Sequence, residues 1–330
     1  MESPCARPVG QRRLRRVLRF SAARSNAGRG GEDIEGVRVI RFTVVETGEG
    51  GTVACSRCSS EVRDTTFRPL DEVLADARRV CEAWDAGTGP NIVLAGAEPF
   101  AHPDLPRIVS GVVEAGCIRL AVDTDAIGLR SEGNATGALI AGVRHVRFSL
   151  LAGTEGVHDA LCGVPGALDA TRAGIRTFRS AADAQGLDVS LTAVVPVCRH
   201  NASDLPSAVA AAVECGAGRV EIRITDGGMD LRAAIPWITA ACDTGVVNGV
   251  WVEVEGVPFC MLEGYDLPLA DAVRFRKGAK QTVCGECALD RVCGGAPIGA
   301  STDQLAELAP PVLAEALAAQ VRRARATEVR

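Results

Sequence analysis

Residues 91–122 read NIVLAGAEPFAHPDLPRIVSGVVEAGCIRLAV and predict a strand, a helix and a second strand. The apolar run Asn91–Ala95 is typical of a short buried strand, and Leu105–Ala115 has the apolar spacing of an amphipathic helix. Gly116 ends that helix, as a glycine after the last helical turn commonly does. Ile118–Val122 then predicts the next strand. A strand, a helix and a strand at this spacing indicate a right-handed parallel β/α unit.

The same alternation of strands and helices continues on both sides of this unit. Further strands are predicted at residues 37–45, 143–150, 187–195 and 219–224. Further helices are predicted at residues 69–84, 137–141, 168–182 and 205–215. Six such units cover residues 37–245, fewer than the eight that close a barrel. The sequence therefore predicts an α/β fold, a partial (β/α)6 barrel of parallel strands.

Three flanking regions fall outside the barrel pattern. Residues 1–36 are rich in arginine and interrupted by glycine, which predicts a basic and disordered arm. A solvated tail is the plainer interpretation of this arm, and a nucleic-acid-binding or peptide-binding role is the alternative. Residues 246–300 contain a strand at 250–254 and a cysteine-rich segment, which we assign to an auxiliary region. Residues 301–330 predict a helical tail that is interrupted by Pro310-Pro311.

Composition excludes several classes of protein. The chain of 330 residues is 47% hydrophobic, enough for a sizeable core. A net charge of −5 and an aromatic content of 4% argue against a nucleic-acid surface. No apolar run approaches the roughly 20 residues of a membrane-spanning helix, and the N-terminus lacks the apolar core of a signal peptide. We therefore expect a cytoplasmic protein with neither a nucleic-acid nor a membrane partner.

The C-terminal cysteines are the most specific chemical feature of the sequence. Cys284, Cys287 and Cys293 are spaced as C-x2-C-x5-C, and Cys260 lies upstream in Pro-Phe-Cys. Thiols this dense in a chain expected to be cytoplasmic favour a metal or iron–sulfur site over disulfides. Four cysteine thiolates hold a 4Fe–4S cluster, and four can also form a structural zinc site. We predict an auxiliary 4Fe–4S cluster here, with zinc as an alternative.

Polar residues follow the predicted strands, at the edge where β/α folds carry their reactive groups. The second strand is followed by Gly96–Pro99 and His102–Leu105, the third by Asp123–Ala126, and the fourth by Ser149 and then His158-Asp159. This ordered set resembles the radical S-adenosylmethionine (radical SAM) superfamily. Its corresponding strands end in Gly-Gly-Glu-Pro, in Thr-Asn-Gly, and in Ser-Leu-Asp followed by His-Asp. The cysteine-rich segment looks like the auxiliary-cluster extension, of twitch or SPASM type, that many members carry.

The resemblance covers residues 37–297 and implies a SAM-binding edge. SAM would be held by Gly96, Ala97, Glu98, Thr124, Asp125 and Ser149. The family's reaction forms a 5′-deoxyadenosyl radical, which abstracts hydrogen from a peptide or small-molecule substrate. The resemblance also implies an electron donor and, for a peptide substrate, help from the arm or from a separate peptide-recognition protein. Residue type alone favours plainer interpretations, with Glu98 as a solvated loop carboxylate and Ser149 bonded to backbone at a strand end.

The loop after the first strand departs from the family's pattern. Members carry C-x3-C-x2-C there, and the three thiolates leave one iron open to SAM. In this chain Cys55 and Cys58 fit the last two positions and Gly51 stands at the first. Cluster retention depends on cysteine ligation, so a third ligand has to come from elsewhere. The candidates are a partner chain, Cys81, Glu46 and Glu49.

The incomplete motif leaves three functions open. The first is a radical SAM enzyme with an auxiliary 4Fe–4S cluster. The second is a degenerate homologue that has lost SAM cleavage and acts as an iron–sulfur scaffold, a substrate-binding subunit or an electron-transfer subunit. The third is a β/α barrel with a structural four-cysteine zinc site; Cys55 and Cys58 also have the C-x2-C spacing of redox and zinc sites. The sequence nominates no catalytic residue.

Overall fold

The computed structural model describes most of the predicted barrel. The described residues are 33–34, 37–38, 43–49, 66–84, 90–224, 229–262, 280–287, 293 and 295–296. The first 32 residues, Gly51, Cys55, Cys58 and the predicted helical tail at 301–330 lie outside these ranges.

A parallel sheet of seven strands forms the centre of the described part of the chain. Two short antiparallel pairs accompany it: β1 (Asp33–Ile34) with β2 (Val37–Arg38), and β4 (Gly48–Glu49) with β5 (Thr66–Phe67). The sheet consists of β3 (Thr43–Glu46), β6 (Asn91–Ala95), β7 (Arg119–Thr124), β8 (His145–Ser149), β9 (Ser190–Val197), β10 (Arg219–Ile224) and β11 (Trp251–Glu255). Its spatial order is β3-β6-β7-β8-β9-β10-β11, with every neighbouring pair parallel.

Helices supply the crossovers that parallel neighbours require. The described helices are α1 (Leu70–Glu82), α2 (Leu105–Glu114), α3 (Glu132–Ala141), α4 (Glu155–Cys162), α5 (Ala167–Ala184), α6 (Leu205–Glu214) and α7 (Leu231–Asn248). None of these helices combines the length and the apolar character that crossing a lipid bilayer would demand.

The two faces of the sheet differ in chemistry because successive strand residues point to opposite sides. One face is apolar: Ile92, Val122 and Phe148 are fully buried in a single core cluster with helix residues such as Ile108 and Phe178. The intervening strand residues form the opposite face, which we call the inner face. Its charged members on β7, β8, β10 and β11 are Arg119, Asp123, Arg147, Arg219, Glu221, Arg223, Glu253 and Glu255. The helices therefore pack on one face, as in a partial barrel.

The predicted α/β fold is confirmed, and the strand that the sequence analysis assigned to the auxiliary region joins the sheet as its seventh strand. Residues 251–255 follow α7 and pair in parallel with β10 along their whole length, and Val252 and Val254 enter the core. Apolar residues alternate here with Trp251, Glu253 and Glu255, as in a half-buried edge strand. The cysteine-rich segment that follows led us to assign this strand to the auxiliary region. β11 therefore extends the sheet beyond β10.

Other element limits also differ from the sequence prediction. Of the single strand expected at 37–45, the described residues 37–38 belong to β2 and 43–45 belong to β3, and these two strands lie in different sheets. The weak helix expected at 137–141 begins at Glu132, where the Ser131 side chain caps it by accepting from Asn134 N. Helix α4 was not indicated by apolar spacing, because its eight residues are too few to show a period.

Candidate functional site

The exit of β6 depends on a close approach between two backbone segments. Gly96 has φ +101°, and a Cβ at this position would clash with the carbonyl oxygen of Gly48. The backbone N–H of Ala97 donates to that same oxygen at 2.9 Å. Glycine is required at 96 because the chain's own backbone packs there. The structure places Gly48 as the close backbone neighbour of Gly96.

Glu98 connects the loop after β6 to the loop after β7. Its side chain is buried, with 7% of the residue exposed, so it is not the solvated carboxylate that residue type alone suggests. One oxygen, Oε1, accepts from Thr124 Oγ1 at 2.6 Å and from Phe100 N at 3.0 Å. The other, Oε2, accepts from Asp125 N at 2.8 Å. The structure thus brings together three residues that the sequence predicted at this edge.

The protonation of Glu98 is shifted by its surroundings. Burial, and next the negative charge of Asp125, raise the pKa of Glu98 to about 8, against the hydrogen bonds from Thr124, Asp125 and Phe100, which lower it. The Glu98 carboxyl therefore loses its proton near pH 8 rather than near pH 4.5. A cation bound beside it would favour the ionised form.

The turn after β7 is fixed by helix α5. Asp125 Oδ1 accepts from Ile127 N at 2.8 Å, and the Asp125 carbonyl oxygen accepts from Thr171 Oγ1 at 2.9 Å. Ala126 takes a left-handed conformation with φ +64°, and a Cβ at Gly174 would clash with its carbonyl oxygen. Helix α5 therefore packs directly against this turn. Within the turn, one oxygen of the Asp125 carboxylate accepts the hydrogen bond from Ile127 N.

Ser149, at the end of β8, is exposed at the same edge of the sheet. The loop that follows is held by Asn201, which is 1% exposed. Asn201 Nδ2 donates to Leu151 O at 2.6 Å and to Pro196 O at 2.8 Å, and its Oδ1 accepts from Cys198 N at 2.7 Å. The exits of β8 and β9 are thereby joined. Sequence reasoning missed Asn201, since an asparagine before a helix start indicates only a turn.

Both ends of the segment that contains Cys55 and Cys58 are described, although these two cysteines are not. The pair β4–β5 closes the segment, and Arg68 N donates to Thr47 O at 2.9 Å. His102 Nδ1 accepts from Asp104 N at 3.0 Å, so its Nε2 carries the proton that is donated to Arg68 O at 3.0 Å. The described residues on either side of the segment, 47–49 and 66–68, therefore lie beside the loop after β6.

The two motif histidines, His102 and His158, contact other residues of the fold. His102 holds Arg68 as just described. His158 is buried with its Nδ1 3.4 Å from Cys162 Sγ. Burial is the main cause that lowers the pKa of His158 to about 4, so this imidazole is neutral at physiological pH. Both side chains therefore make contacts within the fold.

The four C-terminal cysteines are partly exposed thiols without disulfides. Cys260 lies in a short turn after β11, and Cys284 and Cys287 lie at a turn over 282–287. Cys293 Sγ accepts from Gly295 N at 3.4 Å. Within the described ranges, no three His, Cys, Asp or Glu side chains are gathered as metal ligands. The donor chemistry of these thiols fits a 4Fe–4S cluster or zinc, and their gathering around either remains a prediction.

Known proteins similar in sequence include PqqA peptide cyclases. The PqqA peptide cyclase of Xanthomonas campestris pv. campestris (strain B100) is 28% identical over 186 residues, 56% of this chain and 47% of the relative. That of Ruegeria pomeroyi is 30% identical over 171 residues, 52% of this chain and 43% of the relative. The match thus spans about half the length of these curated relatives. No protein-family model matches the chain.

Solved structures with this fold include SuiB from Streptococcus suis. The SuiB complex with S-adenosylmethionine has a TM-score of 0.54 and 13% identity, over 70% of this chain and 53% of SuiB. The SuiB complex with its precursor peptide SuiA gives 0.52 and 12%, over 66% and 49%. The FeFe-hydrogenase maturase HydG from Carboxydothermus hydrogenoformans gives 0.50 and 10%, over 88% and 67%. The chain shares the fold of these proteins.

Proposed function

We propose that this chain is a radical SAM enzyme that modifies a peptide. SAM binds at the edge formed by the exits of β6, β7 and β8, where Gly96, Ala97, Glu98, Thr124, Asp125 and Ser149 lie. The observation that carries the proposal is the buried Glu98 carboxyl, bonded to Thr124 and Asp125 at the carboxyl edge of the sheet. It occupies the reactive edge of a fold shared with SuiB, which has been solved with SAM.

The chain's own residues have definable tasks at this edge. A 4Fe–4S cluster held beside SAM would supply the electron for cleavage of the sulfonium C–S bond. Glu98 and Asp125 place carboxyl groups where the amino group of SAM is expected, and the exposed Ser149 hydroxyl offers a polar contact. The fit is chemical: a carboxyl whose pKa is raised by burial is stabilised in its ionised form by a cation.

The cluster that faces SAM is proposed on Cys55 and Cys58 with a third ligand that the sequence does not identify. Gly51, in the position of the first family cysteine, is the observation that favours the second candidate function. In that case the chain is a degenerate homologue that retains the fold and serves as an iron–sulfur scaffold, a substrate-binding subunit or an electron-transfer subunit.

An auxiliary 4Fe–4S cluster is proposed on Cys260, Cys284, Cys287 and Cys293. Four thiolates are the ligand set of such a cluster, and the same set on zinc is the alternative. Iron and zinc analysis of the anaerobically purified chain separates the two.

A peptide substrate is proposed because the similar proteins named above include PqqA peptide cyclases and SuiB, whose structure was solved with a precursor peptide. An electron donor is required by the reaction. Recognition of the peptide outside the barrel is assigned to the basic arm at 1–36 or to a separate protein.

SAM binding tests the proposed site directly. Glu98→Ala removes the carboxylate and the connection between two loops, and we expect SAM affinity to fall at least about tenfold, as loss of a hydrogen bond to a charged group typically costs about 1.5–3 kcal/mol. The measurement is equilibrium dialysis with the reconstituted full chain. Glu114→Ala is the matched control, since Glu114 ends α2 at the opposite edge of the sheet. Equal SAM affinity in the wild type and Glu98→Ala would place the site elsewhere.

A further inference from the structure

Hydrogen bonds hold the residues on both sides of the segment at 50–65 against β6 and the loop after it. Before the segment, Thr47 N donates to Ala95 O at 2.8 Å, and Thr47 Oγ1 donates to the same oxygen at 3.1 Å. After the segment, His102 Nε2 donates to Arg68 O at 3.0 Å. Each side of the segment therefore has its own attachment to this part of the carboxyl edge.

Arg68 connects the two sides to each other. Its backbone N–H donates to Thr47 O at 2.9 Å, and its Nη1 donates to Glu46 O at 3.0 Å. Its Nη2 lies 2.9 Å from Asp76 Oδ2 on α1, which holds the guanidinium in place. The hydrogen bonds and the chain of the β6 loop thus form a closed ring. We call its members the hydrogen-bonded frame: Thr47, Arg68, Ala95 and His102.

The imidazole of His102 is fixed in the orientation that its bond to Arg68 requires. Only 5% of His102 is exposed. Its Nδ1 accepts from Asp104 N at 3.0 Å, which leaves Nε2 as the donor of the neutral ring. Its ring centroid lies 4.9 Å from that of Phe67. The side chain therefore contacts two consecutive residues, Phe67 and Arg68, just after the segment.

A short turn joins His102 to Glu98. The turn is the single 3₁₀ turn Pro99–Ala101, and the Glu98 carboxyl caps it by accepting from Phe100 N at 3.0 Å. His102 follows the turn directly. The carboxyl at the proposed SAM site and the donor to Arg68 O are therefore connected through one capped turn.

We propose that His102 is a positioning residue in the SAM reaction. Through Arg68 it sets the distance between the Glu98 site and the segment that carries Cys55 and Cys58. Those two cysteines lie outside the described residues, and the contacts given above are those of the residues that flank them. The proposal rests on the proposed function, because a task of this kind exists only where a cluster and SAM meet.

Placement matters to this reaction because the electron has to enter the sulfonium of a SAM molecule that the edge holds. A misplacement of about 1 Å can cost about a hundredfold in rate. A role of His102 in stability alone predicts a different result. In that case a substitution lowers the amount of folded protein, and the protein that does fold reacts as the wild type does.

Two substitutions of His102 separate positioning from folding. In His102→Asn the amide reaches about as far as Nδ1, so the bond from Asp104 N is kept while the donor to Arg68 O is lost. In His102→Gln the amide reaches about as far as Nε2 and retains a donor for Arg68 O. His200→Asn is the matched control, because His200 is exposed in the loop after β9.

Hydrogen exchange of the unloaded chain tests the contact itself. We expect the amides of residues 66–68 to exchange faster in His102→Asn than in the wild type, because local opening becomes easier. His102→Gln and His200→Asn should resemble the wild type, and circular dichroism checks that each variant is folded. Equal exchange in His102→Asn and the wild type would overturn the proposal.

The reconstituted chain tests the positioning. In the wild type, SAM should change the electron paramagnetic resonance spectrum of the reduced cluster. In folded His102→Asn we expect a smaller spectral change, and kcat for 5′-deoxyadenosine formation lower by at least about tenfold with less change in KM for SAM. His102→Gln should recover most of both. A wild-type spectral change and kcat in folded His102→Asn, or no recovery in folded His102→Gln, would contradict the positioning role.

The outcome is separable from that of the proposed function. A wild type that forms no 5′-deoxyadenosine contradicts the proposed function, whereas faster exchange and a smaller spectral change in His102→Asn would still support the role of His102. A wild type that forms 5′-deoxyadenosine no faster than folded His102→Asn contradicts the role of His102 alone.

Discussion

At the residue scale, Glu98 shows how a single buried carboxyl can organise a reactive edge. It accepts from one hydroxyl and two backbone N–H groups, from the loops after β6 and β7. The order of strand ends predicted that Glu98, Thr124 and Asp125 would lie at one edge, since parallel strands end on the same side. Their mutual hydrogen bonds could not be predicted, because they depend on rotamers and on a left-handed turn at Ala126. The buried role of Asn201 was equally invisible in the sequence.

The raised pKa of Glu98 predicts a pH dependence of stability. A carboxyl with a folded-state pKa of about 8 stabilises the fold fully below its unfolded value of 4.5, and this contribution is lost as the pH rises toward 8. We expect the free energy of unfolding to decline between about pH 5 and 8 more steeply in the wild type than in Glu98→Gln. Urea denaturation followed by circular dichroism at several pH values measures it. Parallel curves for the two proteins would show that Glu98 does not titrate in this range.

At the element scale, pairs of strand exits are joined by buried polar side chains. Glu98 joins the exits of β6 and β7, and Asn201 joins those of β8 and β9. The sequence predicted most strands and helices because their apolar residues recur with the periods of half-buried elements. It missed β11 as a barrel strand because pairing with β10 is a tertiary property that no local pattern reveals. It also shortened α3, whose glycine and alanine content gives little amphipathic contrast.

Replacing Asn201 tests whether the buried hydrogen bonds between strand ends stabilise the fold. Asn201→Asp keeps the shape of the side chain, loses both N–H donors and places negative charge beside Leu151 O and Pro196 O. We expect a loss of about 2–5 kcal/mol in the free energy of unfolding, from two broken buried hydrogen bonds. Asn134→Asp is the control: its exposed bond to Gly128 O should be worth less than about 1 kcal/mol. The free energies of unfolding are measured by urea denaturation. Equal losses in both variants would show that the buried bonds of Asn201 stabilise the fold no more than the exposed bond of Asn134.

At the scale of the whole molecule, the two faces of the sheet have different contents. Its outer face holds the helices through one apolar core, while its inner face carries charges and its carboxyl edge carries the predicted SAM contacts. The two predicted cluster sites differ in how much of each the structure describes. Cys55 and Cys58 lie outside the described residues, and the four C-terminal cysteines are described without being gathered. Sequence spacing proposes such ligands, but their assembly around iron requires the metal itself.

Formation of 5′-deoxyadenosine from SAM by the reduced, anaerobically reconstituted chain tests the central claim most directly. We predict that the product forms in the wild type and in Cys117→Ala, because Cys117 Sγ donates to Arg119 O at the start of β7, away from the carboxyl edge. It should be absent when Cys55 and Cys58 are both replaced by Ala. Reconstituted protein that binds SAM yet forms no more 5′-deoxyadenosine than the double cysteine variant would contradict the account and favour the degenerate homologue.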